Sequence, residues 1–205
     1  ILNESRIKFK NNREIIDLEI TDEFKAGLEI LEKTNNSLFI TGKAGCGKTT
    51  LLNLFVNNTS KRTAVLAFTG LAAINAGGET IHSFFKLPLE FLDYTKLNYK
   101  KSSLIEKLNT VDVIVIDEIS MVRADMIDTM DKLLRVHRDS SEPFGGVQMV
   151  FMGDLHQLPP IIDKEMGKAY FQQYKTPFFF SADTFKDYKL PYLKKKKKKK
   201  KKDKN

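Results

Sequence analysis

The most specific chemistry in the sequence lies at Gly42-Lys43-Ala44-Gly45-Cys46-Gly47-Lys48-Thr49, which fits the spacing G-x-x-x-x-G-K-[ST] at every fixed position. A phosphate chain presents many acceptor oxygens in a small volume. Backbone N–H groups converge on it only where side chains do not block the approach. Glycines let such a loop turn its amides inward as an anion nest, and a helix starting directly afterwards adds free N–H groups and the positive end of its dipole. In that arrangement Lys48 reaches the β- and γ-phosphates and Thr49 offers its hydroxyl to Mg2+. Gly42, Ala44, Gly45, Cys46, Gly47 and Thr50 complete the expected ATP cradle. Cys46 sits at a variable position and reads as a small filler residue rather than a redox group.

Two later strings supply what a triphosphate site still needs. In Ile114-Val115-Ile116-Asp117-Glu118 an apolar run ends in two adjacent carboxylates, at the carboxyl end of a strand, where parallel α/β sheets gather their ligands. Asp117 suits a magnesium ligand and Glu118 a general base that polarises the attacking water. Gly153-Asp154-Leu155-His156-Gln157-Leu158-Pro159-Pro160 follows another apolar run. Gln157 both donates and accepts hydrogen bonds, so it is able to touch the γ-phosphate or the water. On the residues alone, an ordinary strand-to-loop turn explains that string equally well.

The elements that must position these groups are legible as alternating patterns. Residues 23–33 read as a helix, with Phe24, Leu28 and Leu31 on one face and Thr21 as cap. Short apolar runs at 38–41, 64–68, 111–116 and 147–152, with a fifth at 178–180, suit strands buried on both faces. Helical patterns at 49–58, 71–76 and 123–137 lie between them. Strands alternating with helices predict an α/β fold with a parallel sheet flanked by helices.

Composition narrows the class. No stretch approaches the ~18 apolar residues of a membrane span, and the polar opening lacks a secretion signal. Because the sequence opens on Ile1, its N-terminus reads as trimmed or internal. The net charge of +8 comes from the tail: ten lysines and one aspartate lie in residues 194–205, and without them the balance is −1. The overall basicity therefore says nothing about a binding surface. Nine consecutive lysines at 194–202 repel one another and predict a disordered end, better read as low-complexity sequence than as a phosphate-binding arm. A single cysteine and three scattered histidines exclude a disulfide and zinc-ligand spacing, which fits a reducing, intracellular setting. The expected division is a loosely held segment 1–17, an ATPase domain 18–193 and the tail 194–205.

Taken in order, these strings resemble the motifs of the Pif family of DNA helicases. Residues 41–50 resemble motif I. Ala67-Phe68-Thr69-Gly70-Leu71-Ala72-Ala73-Ile74-Asn75 resembles motif Ia and runs on into Gly78-Glu79-Thr80-Ile81-His82-Ser83-Phe84-Phe85. Asp117-Glu118-Ile119-Ser120-Met121 resembles motif II, Pro143-Phe144-Gly145-Gly146-Val147-Gln148 the approach to motif III, and residues 153–160 motif III itself. The resemblance covers roughly residues 21–180. It implies a RecA-like P-loop domain of an ATP-dependent 5′-to-3′ DNA helicase acting in replication, repair, recombination or telomere maintenance. It also implies single-stranded DNA and duplex junctions as partners, and a monomer. It places Thr69, Gly70, Thr80, His82 and Ser83 along the strand, where a motor grips backbone phosphates regardless of base sequence. Phe84 and Phe85 read better as core than as stacking platforms.

The sequence departs from the family in three places. Phe24 stands where the family carries the Gln that reads adenine, and Phe68 stands where motif Ia carries Pro. Motifs IV to VI, with their arginine finger, are not found. Such fingers accelerate hydrolysis ~10³–10⁵-fold, so the 205 residues alone are expected to bind Mg·ATP, and DNA weakly, without unwinding a duplex. The alternatives are a RecD-like or recombinase-type motor, disfavoured by the residue 80–85 and 117–121 strings, and a nonenzymatic nucleotide- or DNA-binding fragment.

Overall fold

The structure is a computed structural model that describes residues 6–11, 14–19, 21–88 and 102–194. An antiparallel hairpin comes first, β1 (Arg6–Asn11) with β2 (Glu14–Glu19), pairing Ile7 with Leu18 and Phe9 with Ile16. Within the segment expected to be loosely held, this pairing was not anticipated, although Ile-Lys-Phe-Lys alternates with the period of a strand.

The helix α1 (Asp22–Lys33) starts where Thr21 Oγ1 accepts from the Phe24 N–H at 3.3 Å, with Asp22 and Glu23 in its first turn. Phe24, Leu28 and Leu31 are buried. Phe24 is thus a core residue.

A six-stranded sheet follows, built from β3 (Leu38–Thr41), β4 (Thr63–Ala67), β5 (Glu79–Thr80), β6 (Val113–Asp117), β7 (Gln148–Gly153) and β8 (Tyr192–Lys194). Their order is β5-β4-β6-β7-β3-β8, and every neighbouring pair is parallel. All strand ends of one kind therefore share a rim. Between the strands run α2 (Lys48–Asn58), α3 (Gly70–Ala76), α4 (Ile81–Phe85), α5 (Ser102–Thr110), α6 (Ala124–His137) and α7 (Lys164–Gln173).

Side-chain alternation splits the core into two layers. Val113, Val115, Val150 and Met152 join Leu38, Ile40 and the inner faces of α1 and α2. Ile114, Ile116, Met149 and Phe151 join α4, α5, α6 and the aromatic cluster around Phe179. Apart from Gln148 at the start of β7 and Asp117 at the end of β6, the central strands are apolar because neither face meets water. This is the α/β architecture expected.

One strand expectation fails. Residues 178–180 form no strand: Phe179–Ser181 is a short 3-10 turn, closed by Ser181 N–H to the Phe178 oxygen at 2.9 Å. The segment's strand-type pairing among the described residues is an isolated antiparallel bridge between Phe178 and Arg123. Phe179 is drawn into the core against Phe39 and Phe151, at centroid distances of 5.2 and 5.6 Å, while Phe178 and Phe180 stack on each other at 5.4 Å. The edge position next to β3 goes instead to β8, which ends at Lys194. The lysine tail beyond it lies outside the described residues.

Asp128 on α6 fastens this aromatic segment. Its carboxylate accepts from Tyr174 OH at 2.9 Å, the Asp183 and Thr184 N–H groups at 2.9 Å each, and Thr184 Oγ1 at 2.7 Å.

Candidate functional site

The rim at the carboxyl ends of the strands carries the loops that hold the expected nucleotide-site and DNA-site residues. The loop after β3 turns through Gly45 (φ 73°) and Gly47 (φ 91°), conformations that a residue with a Cβ rarely adopts. Gly47 is the N-cap of α2, and no side chain caps that helix end. Its first-turn N–H groups therefore face the loop. A Cβ at Gly45 or Gly47 would meet nothing within 4 Å, so the space over the loop is open. The Lys48 ammonium donates to the Gly42 oxygen at 2.6 Å, spanning the loop from helix to strand. Lys43, Ala44, Gly45 and Thr49 are exposed; Cys46, Gly47, Lys48 and Thr50 are half-buried.

Asp117 ends β6, and Asp117 Oδ1 accepts from the Glu118 N–H at 2.9 Å. Glu118 is left-handed (φ 52°), unusual for a residue with a side chain. Backbone strain of this kind clusters at functional sites. Burial pushes the Asp117 carboxyl up from its ordinary range, opposed by the Glu118 N–H and by Lys48. Burial and then the Asp117 charge push Glu118 up, with Lys48 opposing and Asp154 adding. Lys48 thus acts on both carboxylates. The lysine loop and the acid pair share one rim, with only β7 between their strands.

The end of β7 supplies the third part. Gly153 sits against motif II: a Cβ there would lie 3.0 Å from Ile119 Cγ2 and 3.2 Å from the Ile119 nitrogen. Asp154 is buried. Asp154 Oδ1 accepts from the His156 N–H at 3.1 Å and its carbonyl accepts from the Gln157 N–H at 2.9 Å. This turn places Gln157, exposed, on the same rim. Asp154, to which the sequence alone assigns no role, is a third carboxylate near the acid pair and adds to the upward push on Glu118. The sequence signal for this turn is an aspartate directly after an apolar strand run, a residue type that bonds the backbone N–H two residues on.

The remaining candidates lie further along the rim, past β6. Thr69 follows β4 and Thr80 ends β5, and the parallel register sets Ala67 against both Asp117 and Thr80. Both hydroxyl oxygens already cap helices: Thr69 Oγ1 accepts from the Ala72 N–H at 3.2 Å and Thr80 Oγ1 from the Ser83 N–H at 3.1 Å. Their protons remain free to donate. Gly70 and Ser83 are exposed. His82 stands edge-on to Phe68 with centroids 5.9 Å apart. Burial, then the Arg123 charge, push its pKa down, and Asp125 opposes. Phe84 and Phe85 are buried, at 2% and 1% exposure, which settles them as core. The rim therefore reads, in spatial order, Thr80, Thr69, Asp117, Gln157, Lys48.

The sequence matches the PIF1-like helicase profile over residues 19–203. It is similar to the ATP-dependent DNA helicase PIF1 of Saccharomyces cerevisiae (strain YJM789), 40% identical over 140 residues that cover 64% of this chain and 16% of that protein. It is also similar to Bacteroides sp. Pif1 solved in complex with ADP-AlF4, with a TM-score of 0.83 and 41% identity over 87% of this chain and 42% of that one. The Bacteroides Pif1 helicase solved with ADP-AlF3 and ssDNA gives a TM-score of 0.82 at 41% identity, covering 88% and 43%. The chain thus spans less than half the length of these relatives. With its motif-bearing loops on one rim of a parallel sheet and that profile running through most of its length, the chain belongs to the PIF1-like helicase family.

Proposed function

We propose that this chain is the ATP-binding motor domain of a DNA helicase, coupling nucleotide hydrolysis at one end of the rim to movement along single-stranded DNA at the other. The observation that carries this reading is the placement of the Lys48 loop and the Asp117-Glu118 pair on one rim of the sheet, with only β7 between their strands. The open loop and uncapped helix end suit a triphosphate. The amides of residues 42–50 bind it, and Lys48 exchanges the Gly42 oxygen for phosphate oxygens. Among the described residues no three His, Cys, Asp or Glu side chains form a metal cage. The Thr49 hydroxyl and the Asp117 carboxylate are oxygen donors that would hold a magnesium ion. A magnesium ion held by these two residues would supply positive charge to the phosphate oxygens. Glu118 orients and deprotonates the attacking water, and Gln157 senses the γ-phosphate from the neighbouring loop. Thr69, Gly70, Thr80, His82 and Ser83 grip the DNA backbone by hydroxyl, amide and imidazole contacts that ignore base identity. Helicase action on duplex junctions is proposed for the whole protein.

The test is ATP turnover by the purified chain with and without a dT oligonucleotide, beside Lys48→Ala. Turnover that DNA stimulates and Lys48→Ala abolishes supports the motor. Turnover insensitive to Lys48→Ala refutes it.

A further inference from the structure

The elements that carry Thr80, His82 and Ser83 are short: β5 has two residues and α4 has five. Neither is long enough to fix its own orientation at the edge of a sheet. Ile81, Phe84 and Phe85 anchor α4 from below. A second fastening comes from α5. Lys107 Nζ lies 2.6 Å from Glu79 Oε1 and 4.1 Å from the centroid of the Phe84 ring. Glu79 directly precedes Thr80, and Phe84 directly follows Ser83. One ammonium group therefore grips both ends of the turn that presents all three rim residues.

We propose that Lys107 is a positioning residue for single-strand binding, holding the residue 80–83 turn in register through Glu79 and Phe84 without touching the DNA itself. The proposal rests on the DNA reading of that turn. The Lys107 and Glu79 side chains are 39% and 40% exposed, so the ion pair alone adds little to stability. Its effect falls on orientation, where the cation–π contact supplies the second point of a two-point hold. The rival reading is that Lys107, as a half-exposed cation, meets a phosphate directly. The two differ in the sign of one substitution. If Glu79 is the other half of a brace, Glu79→Gln weakens DNA binding. If Glu79 competes with phosphate for Lys107, Glu79→Gln tightens it.

The experiment is fluorescence anisotropy of a labelled dT oligonucleotide with the full chain across a NaCl series. Binding of a fluorescent ATP analogue serves as internal reference. Lys107→Met, which keeps the aliphatic stem, is expected to weaken DNA binding about 3- to 10-fold, from the loss of an exposed ion pair and a cation–π contact together. Glu79→Gln is expected to weaken it in the same direction, and Lys107→Arg to restore it. ATP-analogue affinity and the slope of log affinity against log salt stay as in the unsubstituted chain. A slope reduced by about 1 with Lys107→Met, or tighter binding with Glu79→Gln, overturns the brace in favour of a direct phosphate contact. Equal losses of ATP-analogue and DNA binding reduce Lys107 to a general stability role and also overturn it. Thr80→Ala and His82→Ala separate the two levels. If they weaken DNA binding while Lys107→Met does not, this inference alone fails. If neither has an effect, or the unsubstituted chain does not bind dT, the DNA reading fails and carries this inference with it.

Discussion

The clearest quantitative test of the packing concerns Asp128. Its carboxylate receives four donors, from Tyr174, the Asp183 and Thr184 backbone, and the Thr184 hydroxyl, and the residue is only 5% exposed. Replacing it with Ala leaves the Tyr174 hydroxyl buried without an acceptor, while water reaches the half-buried Asp183 and Thr184 groups in part. Hydrogen bonds to a charged acceptor contribute about 1.5–3 kcal/mol each and do not add fully. A loss of about 3–5 kcal/mol is therefore expected, in line with other broken buried charge networks. For a domain near 200 residues this is about 10–15 °C in Tm. Tyr174→Phe removes one donor and leaves three on the carboxylate, so it is expected to cost about 1 kcal/mol, or about 2–4 °C. Asp128→Asn turns an NH2 toward one pair of donors and should fall nearer to Ala than to the unsubstituted chain. Thermal unfolding followed by circular dichroism measures all three. A change below about 3 °C for Asp128→Ala, or equal losses for Ala and Tyr174→Phe, would refute the account of Asp128 as the clamp on the Phe179 segment.

Three further outcomes follow from single positions. Gly78→Ala places a Cβ 1.9 Å from the Val65 carbonyl oxygen, forcing β4 away from its neighbour; Tm is expected to fall by more than about 5 °C, measured by the same melts. Gly153→Ala puts a Cβ 3.0 Å from Ile119 Cγ2 and displaces motif II with little effect on packing; ATP turnover should drop about tenfold while Tm changes by less than about 3 °C. The Arg62 hydrogen bonds hold Asp112 down at a pKa of about 2. Its folded pKa lies below its unfolded one, so its stabilisation is present above the ordinary carboxylate pKa of about 4 and is lost as pH falls toward about 2. The Tm gap between the unsubstituted chain and Asp112→Asn should therefore be seen near neutral pH and close by about pH 2.

How far the sequence reached depended on the length of each signal. The loop at 42–49 and the acid pair carry spacings with few structural solutions, and both are on the expected rim. The strands Leu38–Thr41 and Val113–Asp117 announced themselves, the second within the expected 111–116 run but starting two residues later, because burial on both faces demands apolar residues in succession. The edge strands β5 and β8, of two and three residues, contain too little sequence to show any period, and their place in the sheet is set by the longer neighbours they join. Phe178-Phe179-Phe180 shows the reverse error: aromatic composition signals burial, yet Phe179 meets it from a 3-10 turn as fully as a strand would. The brace at Lys107 joins residues far apart in sequence, Glu79 and Phe84 to α5, and no local pattern reports such a meeting. Nor does residue type reveal that the Thr69 and Thr80 oxygens spend an acceptor position on helix caps.

The strand order has a mechanical corollary. Because β7 is interposed, the tips of β3 and β6 stand two strand spacings apart, about 10 Å, a gap that a triphosphate bridges and neither tip closes alone. The loop leaving β7 starts between those two tips. Under the proposed function, a change at the terminal phosphate would reach the central strand directly, because β7 is hydrogen-bonded to both β3 and β6. Signalling across the rim then needs no long lever: a shift of one strand end is already a shift of its two neighbours.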